Sequence, residues 1–575
     1  MRRRYELKGS RRVAGTGAGF AGRWRVAVLC LAVTVLPTGC GMPEPHVPLM
    51  ENPPDGRIFY VSPQGDDRQD GRTVRSAWRT LRRADAVRLK PGDRLRLKGG
   101  ARFTGTLSIG RGDAGNARKP VVVDSYGEGR AVISAAGTRG IEVHDTSGVV
   151  IRDLVVAGNA ASYRAEDGIA FVSDLPGGQK LPYVRVKGVD VSGFRNGVRL
   201  HGGGGASGFR DVVVEDVAVH GNKDAGLVLD GPAFDDRAPA YAHEDVKVSK
   251  VVSYKNDGDP DAVDRNTGSG IVLGSVRGAV VENSVAHGNG ARSAPAAQEG
   301  PEGIWAYDST RVVLQRNSAY DNHTGSQVDG GGFGLDNNVS HSLMQYNLSS
   351  GNDGPGFLAY SAISNKVHRD NVIRFNISKD NGRKLQDYGG IVVMGSWVSN
   401  LAIYQNTVLA RANGVVRAPA LRIQPNLGAV SVRNNVFVTD GSTVVAGQGR
   451  FTTSEVVMQG NDYFSPTGLS LQWGDSTYSD LAAWRQESGQ EMQNARATGS
   501  SADPCLAEVP LPTGGADLRG TGPNRGALAS QCSPSLAGAA VDLHTVGVDP
   551  GSVDYLGTPL SGSPTVGAVQ AAPRT

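Results

Sequence analysis

Short apolar segments ending in asparagine recur along this chain, three of them in succession at Val312–Asn317, Leu343–Asn347 and Val372–Asn376. With Asn283, Asn406 and Asn435 they form a ladder with spacings of 34, 30, 29, 30 and 29 residues. A second ladder of glycines, Gly168, Gly197, Gly226, Gly270, Gly303, Gly332, Gly356 and Gly390, keeps the same average period. A fixed period of this size over at least eight units restricts the chain to stacked repeats, each burying its apolar face against its neighbours. Two-residue alternation, abundant Val and Gly, and no long segments of 3.6-residue period exclude a helical solenoid. The pattern predicts an all-β fold, a right-handed parallel β-helix, whose stacked asparagines bond to one another along the axis.

In the strand after each ladder glycine, alternation sends the first and third residues inward and the second and fourth outward. The inward set, from Ile169 and Phe171 through Ile304 and Ala306, Phe333 and Leu335, to Ile391 and Val393, is apolar throughout. The outward positions of the middle rungs align Asp230, Tyr307, Asp336 and Tyr360 in one column, flanked by Trp305 and Arg199. Rings beside carboxylates in a row predict a groove for an extended polysaccharide, with rings stacking on sugar faces and carboxylates accepting hydroxyl hydrogen bonds or moving protons.

Four acids are candidates for catalysis: Asp336, then Asp308, Glu302 and Asp329. With rungs about 4.8 Å apart, Asp308 is expected about 5–7 Å from Asp336, a spacing that suits a nucleophile and acid of the retaining kind. Glu302 and Asp329, both at the turn before their strands, form a second candidate pair. About 16 Å of strand separates Glu302 from the level of Asp336, so those two are not expected to act together.

The ends of the chain add an address. Residues 1–25 carry eight Lys or Arg against one acid, and Val26–Leu36 is an apolar run of eleven, the layout of a signal peptide over 1–39. Without it the chain has 52 basic and 55 acidic residues, a net charge of −3, so no basic nucleic-acid footprint is present. Export agrees with cysteine usage: beyond Cys30 and Cys40, only Cys505 and Cys532 remain, one candidate disulfide. Residues 40–56 read as a tether, 57–104 as an N-terminal cap, 105–470 as the coil, and 471–575 as a C-terminal helix with a disulfide-containing tail.

Three stretches carry resemblances. Leu36-Pro-Thr-Gly-Cys40 resembles a bacterial lipobox, which implies a lipid on Cys40 and an anchor on the outer face of the cell membrane. Phe59–Asp67, a predicted helix with Trp78, Leu81 and Ala84 on one face, and Lys90-Pro-Gly-Asp93 resemble the start of secreted pectate-lyase-like β-helix proteins. Residues 302–360 resemble β-helix repeat proteins with a recurring Asp-Gly-Gly-Gly-Phe-Asp-Leu-Asp run. This chain keeps Asp329, Asp336 and Asn352-Asp-Gly-Pro-Gly356 but has Gly334 at the middle acid, which the resemblance reads as altered or weakened chemistry.

These features imply a glycoside hydrolase using paired carboxylates, acting as a monomer on a polysaccharide. A polysaccharide lyase is the alternative; it needs a base, for which Lys366 or Arg369 is available, and a cation such as Ca²⁺, for which Asp257, Asp259, Asp261 and Asp264 supply oxygens in one loop. A third reading, favoured by Gly334, is a surface lipoprotein that binds glycan without cleaving it. His323 and His341 are read as structural.

Overall fold

The computed structural model describes residues 56–135, 137–159, 166–362, 364–414, 416–509, 527–531, 536, 540–560 and 566–570. The signal peptide, most of the tether, Cys40 and Cys532 lie outside the described residues. Cys505 is disulfide-bonded.

The chain winds as a parallel β-solenoid with three short strands to a turn. One turn consists of Glu302–Tyr307, Thr310–Gln315 and Ser318–Tyr320, and the next of Gly331–Leu335, Leu343–Gln345 and Leu348–Ser350. The first strands of successive turns, from Leu107–Ile109 to Leu471–Trp473, form one sheet of thirteen parallel strands, closed at its C-terminal edge by the antiparallel strand Ser476–Tyr478. The register is the one that alternation dictates. Ile304 lies beside Phe333, Phe333 beside Phe357, and Phe357 beside Ile391. All four side chains are fully buried, and the Phe333 and Phe357 rings stack at 5.3 Å.

The asparagine ladder is continuous, with one correction. Each amide donates to the next, Asn317 to Asn347 at 3.1 Å, Asn347 to Asn376 at 3.0 Å, Asn376 to Asn406 at 3.0 Å, Asn406 to Asn435 at 2.8 Å and Asn435 to Asn461 at 2.9 Å. Asn283 is not a member. It occupies the left-handed corner one residue earlier, at φ 49°, and Ser284 takes the ladder place, its N–H donating to Asn317 Oδ1. Asn461, only 26 residues after Asn435, escapes a search at a 30-residue period because that turn is short. The ladder ends on a carboxylate, where Glu491 Oε1 accepts from Asn461 Nδ2 at 2.8 Å.

A second ladder runs beside the first through Asn222, Asn256, Asn289, Asn322, Asn352 and Asn381. It explains the glycine ladder. A Cβ at Gly303, Gly332 or Gly356 would lie 2.9–3.0 Å from Nδ2 of Asn322, Asn352 or Asn381 respectively. The glycines make room for these amides and, throughout the ladder, for the main-chain carbonyl of the next turn at the corner that leads into the first sheet.

The ends of the solenoid are covered. Ile58–Val61 pairs in parallel with Arg94–Lys98 ahead of the coil. Helix Leu81–Asp85, N-capped by Thr80, buries Leu81 and Ala84, with Trp78 buried just before it. Helix Leu481–Ser488 starts on Asp480, ends at Gly489 with φ 70°, and buries Trp484 completely. Covering these ends removes exposed core and an unpaired strand edge.

Candidate functional site

A cleft of about 540 Å³ lies on the outer face of the first sheet, crossed by its middle rungs. Its floor comes from outward strand positions: Arg199, Val228, Asp230, Val272, Trp305, Tyr307, Leu358, Tyr360 and Met394. Its wall comes from the first residues of those strands, Asn196, Ala225 and Ser269, and from the corners before them, Asp329 and Tyr388, together with Glu299 from the loop that leads into the strand Glu302–Tyr307. Asp336 and Asn337 complete it, just past Gly331–Leu335. The expected column of Asp230, Tyr307, Asp336 and Tyr360 is therefore assembled in one cavity, with Arg199 and Trp305 beside it.

Two acids reach the cleft with raised pKa values. Asp329 and Asp336 each keep a partly exposed edge there while dense protein surrounds the rest. Burial pushes Asp329 up to about 7, against the N–H of Gly300, which donates to Oδ2 at 2.8 Å and favours the charged form. Asp336 is pushed well above the carboxylate range, first by burial and then by the charge of Asp329, despite the N–H of Asn337 at 2.6 Å. The charge of Asp329 opposes ionisation of Asp336 across this desolvated cleft, so the two do not both ionise easily.

Glu302 lies beneath them. It is 4% exposed, and neither carboxyl oxygen has a hydrogen-bond partner among the described residues. Burial, then Asp329 and Asp336, drive its pKa well above the usual range. Strand length is expected to keep Glu302 and Asp336 from acting together, yet the Glu302 carboxyl feels the charge of Asp336. The Glu302 side chain leans along the neighbouring strand over Gly334, where Oε2 takes the space that an added Cβ would need. Strand length separates the two backbones, but the missing Cβ lets the carboxyl cross between them.

Other expected residues have different roles. Asp308 does not line the cleft; it occupies a left-handed corner at φ 46° and accepts from Asn338 Nδ2 at 2.6 Å, a structural turn. Asp230 and Arg199 line the cleft but bind each other, Nη2 to Oδ2 at 2.6 Å, with His201 Nδ1 on Oδ1 at 2.9 Å. Trp305 is a packed part of the floor rather than an open platform: its ring packs on Val272 and Ala225, and Nε1 donates to Ser269 Oγ at 3.2 Å.

The loop acids Asp257, Asp259, Asp261 and Asp264 are not among the acids that line the cleft. Among the described residues no three His, Cys, Asp or Glu side chains are gathered as a metal would need. Asp259 and Asp264 turn instead to Arg265, each at 3.4 Å, so the loop already holds its own cation. Lys366 rests over the Trp397 ring at 5.0 Å and Arg369 pairs with Asp370, and neither lines the cleft.

Tyr388 and Glu299 were missed because alternation identifies strand positions only. Tyr388 stands two residues before the ladder glycine Gly390, as Asp329 stands three before Gly332. The corner ahead of each glycine is thus the signal that points to this wall.

Comparison with known proteins agrees with the architecture. The family described as "Right handed beta helix region" matches residues 261–437. A lacto-N-biosidase of Bifidobacterium longum is 33% identical over 91 residues, 15% of this chain and 6% of that protein's length. Among solved structures, a GH136 lacto-N-biosidase from Eubacterium ramulus superposes with a TM-score of 0.49 at 14% identity, covering 68% of this chain and 65% of that one. Pectate lyase Pel9A superposes with a TM-score of 0.43 at 15% identity, covering 90% and 96%. The right-handed parallel β-helix of this chain rests on its own strand register and on the family match over residues 261–437.

Proposed function

We propose that the protein is a glycoside hydrolase acting on an extracellular glycan, with Asp329 and Asp336 as its reacting pair. One observation carries this reading: two acids with raised pKa values share a cleft edged by Tyr307, Tyr360 and Tyr388. Hydrolysis of a glycosidic bond needs a carboxyl that still holds a proton for the departing oxygen, and a carboxylate that meets the positive charge developing on the sugar ring. Asp336, pushed well above the carboxylate range, holds the proton. Asp329, near 7 and steadied by the Gly300 amide, carries the charge.

The same electrostatics select the substrate. Asp329, Asp336 and Glu299 face the cleft, while Arg199 is bound to Asp230, and Arg195 is bound to Asp224. A uronate at the reacting position would bring its own carboxylate against these acids, while the arginines that line the cleft, Arg195, Arg199 and Arg265, are already engaged by Asp224, Asp230 and Asp259. A neutral sugar meets no such repulsion, which supports hydrolysis over elimination.

Asp336→Asn and Asp329→Asn test the reading. Each is expected to lower turnover by at least about a thousandfold while the glycan still binds. The reading fails if both variants hydrolyse the substrate at the parental rate.

The basic and apolar start of the chain and Cys40 support export and lipid anchoring on the outer membrane face. Cys40→Ala is expected to move the protein out of the membrane fraction; unchanged membrane retention would overturn the anchor.

A further inference from the structure

We propose that Glu302 is a positioning residue of the candidate active site, a third carboxyl delivered from the preceding turn into the space that a side chain at residue 334 would fill. The inference rests on the hydrolase reading above. Three geometric facts carry it. Glu302 is 4% exposed, both of its carboxyl oxygens lack partners among the described residues, and Oε2 takes the space that a Cβ on Gly334 would need. Strands Glu302–Tyr307 and Gly331–Leu335 are in register, with Trp305 opposite Gly334, so the carboxyl lies across the strand that Asp329 and Asp336 flank.

A buried carboxyl without donors is an expensive thing to keep. A purely structural filler at this place would be Leu or Met. The titratable groups that face Glu302 are Asp329, Asp336 and the phenol of Tyr388, and none supplies a positive charge. Arg422, beyond Tyr388, points its guanidinium to the carbonyl of Asp387 and to Gln448. Glu302 is therefore neutral when the pair works. As pH rises, Glu302 and Asp336 compete to lose the next proton, and each ionisation raises the other's cost. Glu302 thereby extends the range over which Asp336 keeps the proton that the reaction needs.

The test uses the whole mature protein. In Glu302→Gln, the alkaline limb of the kcat/KM profile is expected to move down by about one pH unit, because the competing acid is gone. Glu302→Ala removes group and volume together, and adding Gly334→Asp returns a carboxyl to the same space from the opposite strand. E302A/G334D is expected to recover the alkaline limb that E302A loses, whereas E302A/G334A, which returns volume without a carboxyl, is expected not to.

A Glu302→Gln profile superimposable on the parent, with Asp336→Asn inactive, would overturn the inference and leave the hydrolase reading standing. Equal recovery by E302A/G334A would also overturn it, reducing Glu302 to a filler. If the parent protein cleaves no glycan, the hydrolase reading fails, and the neutrality of Glu302 is read from stability. E302Q should then gain on the parent by a margin that grows from pH 5 to pH 8, and a constant margin would contradict a neutral buried Glu302.

Discussion

His368 donates through Nδ1 to the main-chain carbonyl of Asp336 at 3.0 Å, and the ring is completely buried. Only a protonated Nδ1 can make this bond, so the tautomer is fixed by the contact. The same arrangement recurs three turns earlier, where His243 Nε2 meets the carbonyl of Asp230 at 2.9 Å. Each imidazole holds the peptide at the point where a cleft acid leaves its strand.

Replacing His368 by Leu should therefore loosen Asp336 without touching substrate. The carbonyl keeps its bond from the Val339 N–H at 3.2 Å, so the loop stays closed. The expected result is a fall in kcat of about tenfold with KM nearly unchanged, since positioning errors act on the reacting geometry. Steady-state kinetics on a cleaved glycan measure it.

Both histidines also shape the response to acid. Burial lowers the pKa of each from 6.5 to about 4. The unfolded chain takes up these protons first, so the stability they confer is complete above about 6.5 and is lost as pH falls towards 4, at about 1.4 kcal/mol per pH unit per histidine. The raised carboxyls have the opposite sign. Asp329 contributes stability that is present below its unfolded pKa and is gone once pH has risen through about 7. Urea midpoints from pH 4 to pH 7 should show His368→Leu with a shallower acid loss than the parent, and equal slopes would contradict a neutral buried His368.

The asparagine ladder makes a stability prediction. Asn376 donates to Asn406 Oδ1 and to the Met344 carbonyl, and accepts from the N–H and Nδ2 of Asn347. Asn376→Ala leaves several buried groups unpaired and is expected to cost about 3 kcal/mol, read as a lower denaturation midpoint at unchanged slope.

Tyr360 is the ring most available to a sugar, being partly exposed in the cleft while Trp305 is packed away. Tyr360→Ala is expected to raise KM about tenfold with a smaller effect on kcat. A selective loss of kcat would place Tyr360 in the chemistry instead.

The fold was legible because its constraints are periodic. Gly303, Gly332 and Gly356 repeat since each must clear the carbonyl of the next turn and an amide of the second ladder, and Ile304, Phe333 and Phe357 repeat since each fills the same layer. The floor of the cleft followed from the same alternation, which placed Tyr307, Asp336 and Tyr360 correctly. What periodicity does not encode is where a long side chain goes after it leaves the backbone. Glu302 looked remote from Asp336 by counting residues, yet it crosses to the next strand because Gly334 has no Cβ. The same gap explains Asp257, Asp259, Asp261 and Asp264: their spacing suggested a cation, but Arg265 in the same loop already neutralises two of them. Tyr388 lay in a corner, where chain direction changes and no alternation rule applies.

The most direct test of the account is to incubate the soluble protein from Gly41 onward with neutral and uronate-containing glycans, reading new reducing ends and ultraviolet absorbance together. The account predicts reducing ends from a neutral glycan, no absorbance, and loss of the signal in Asp336→Asn. Absorbance from a uronate glycan, or binding without any new reducing ends, would contradict it.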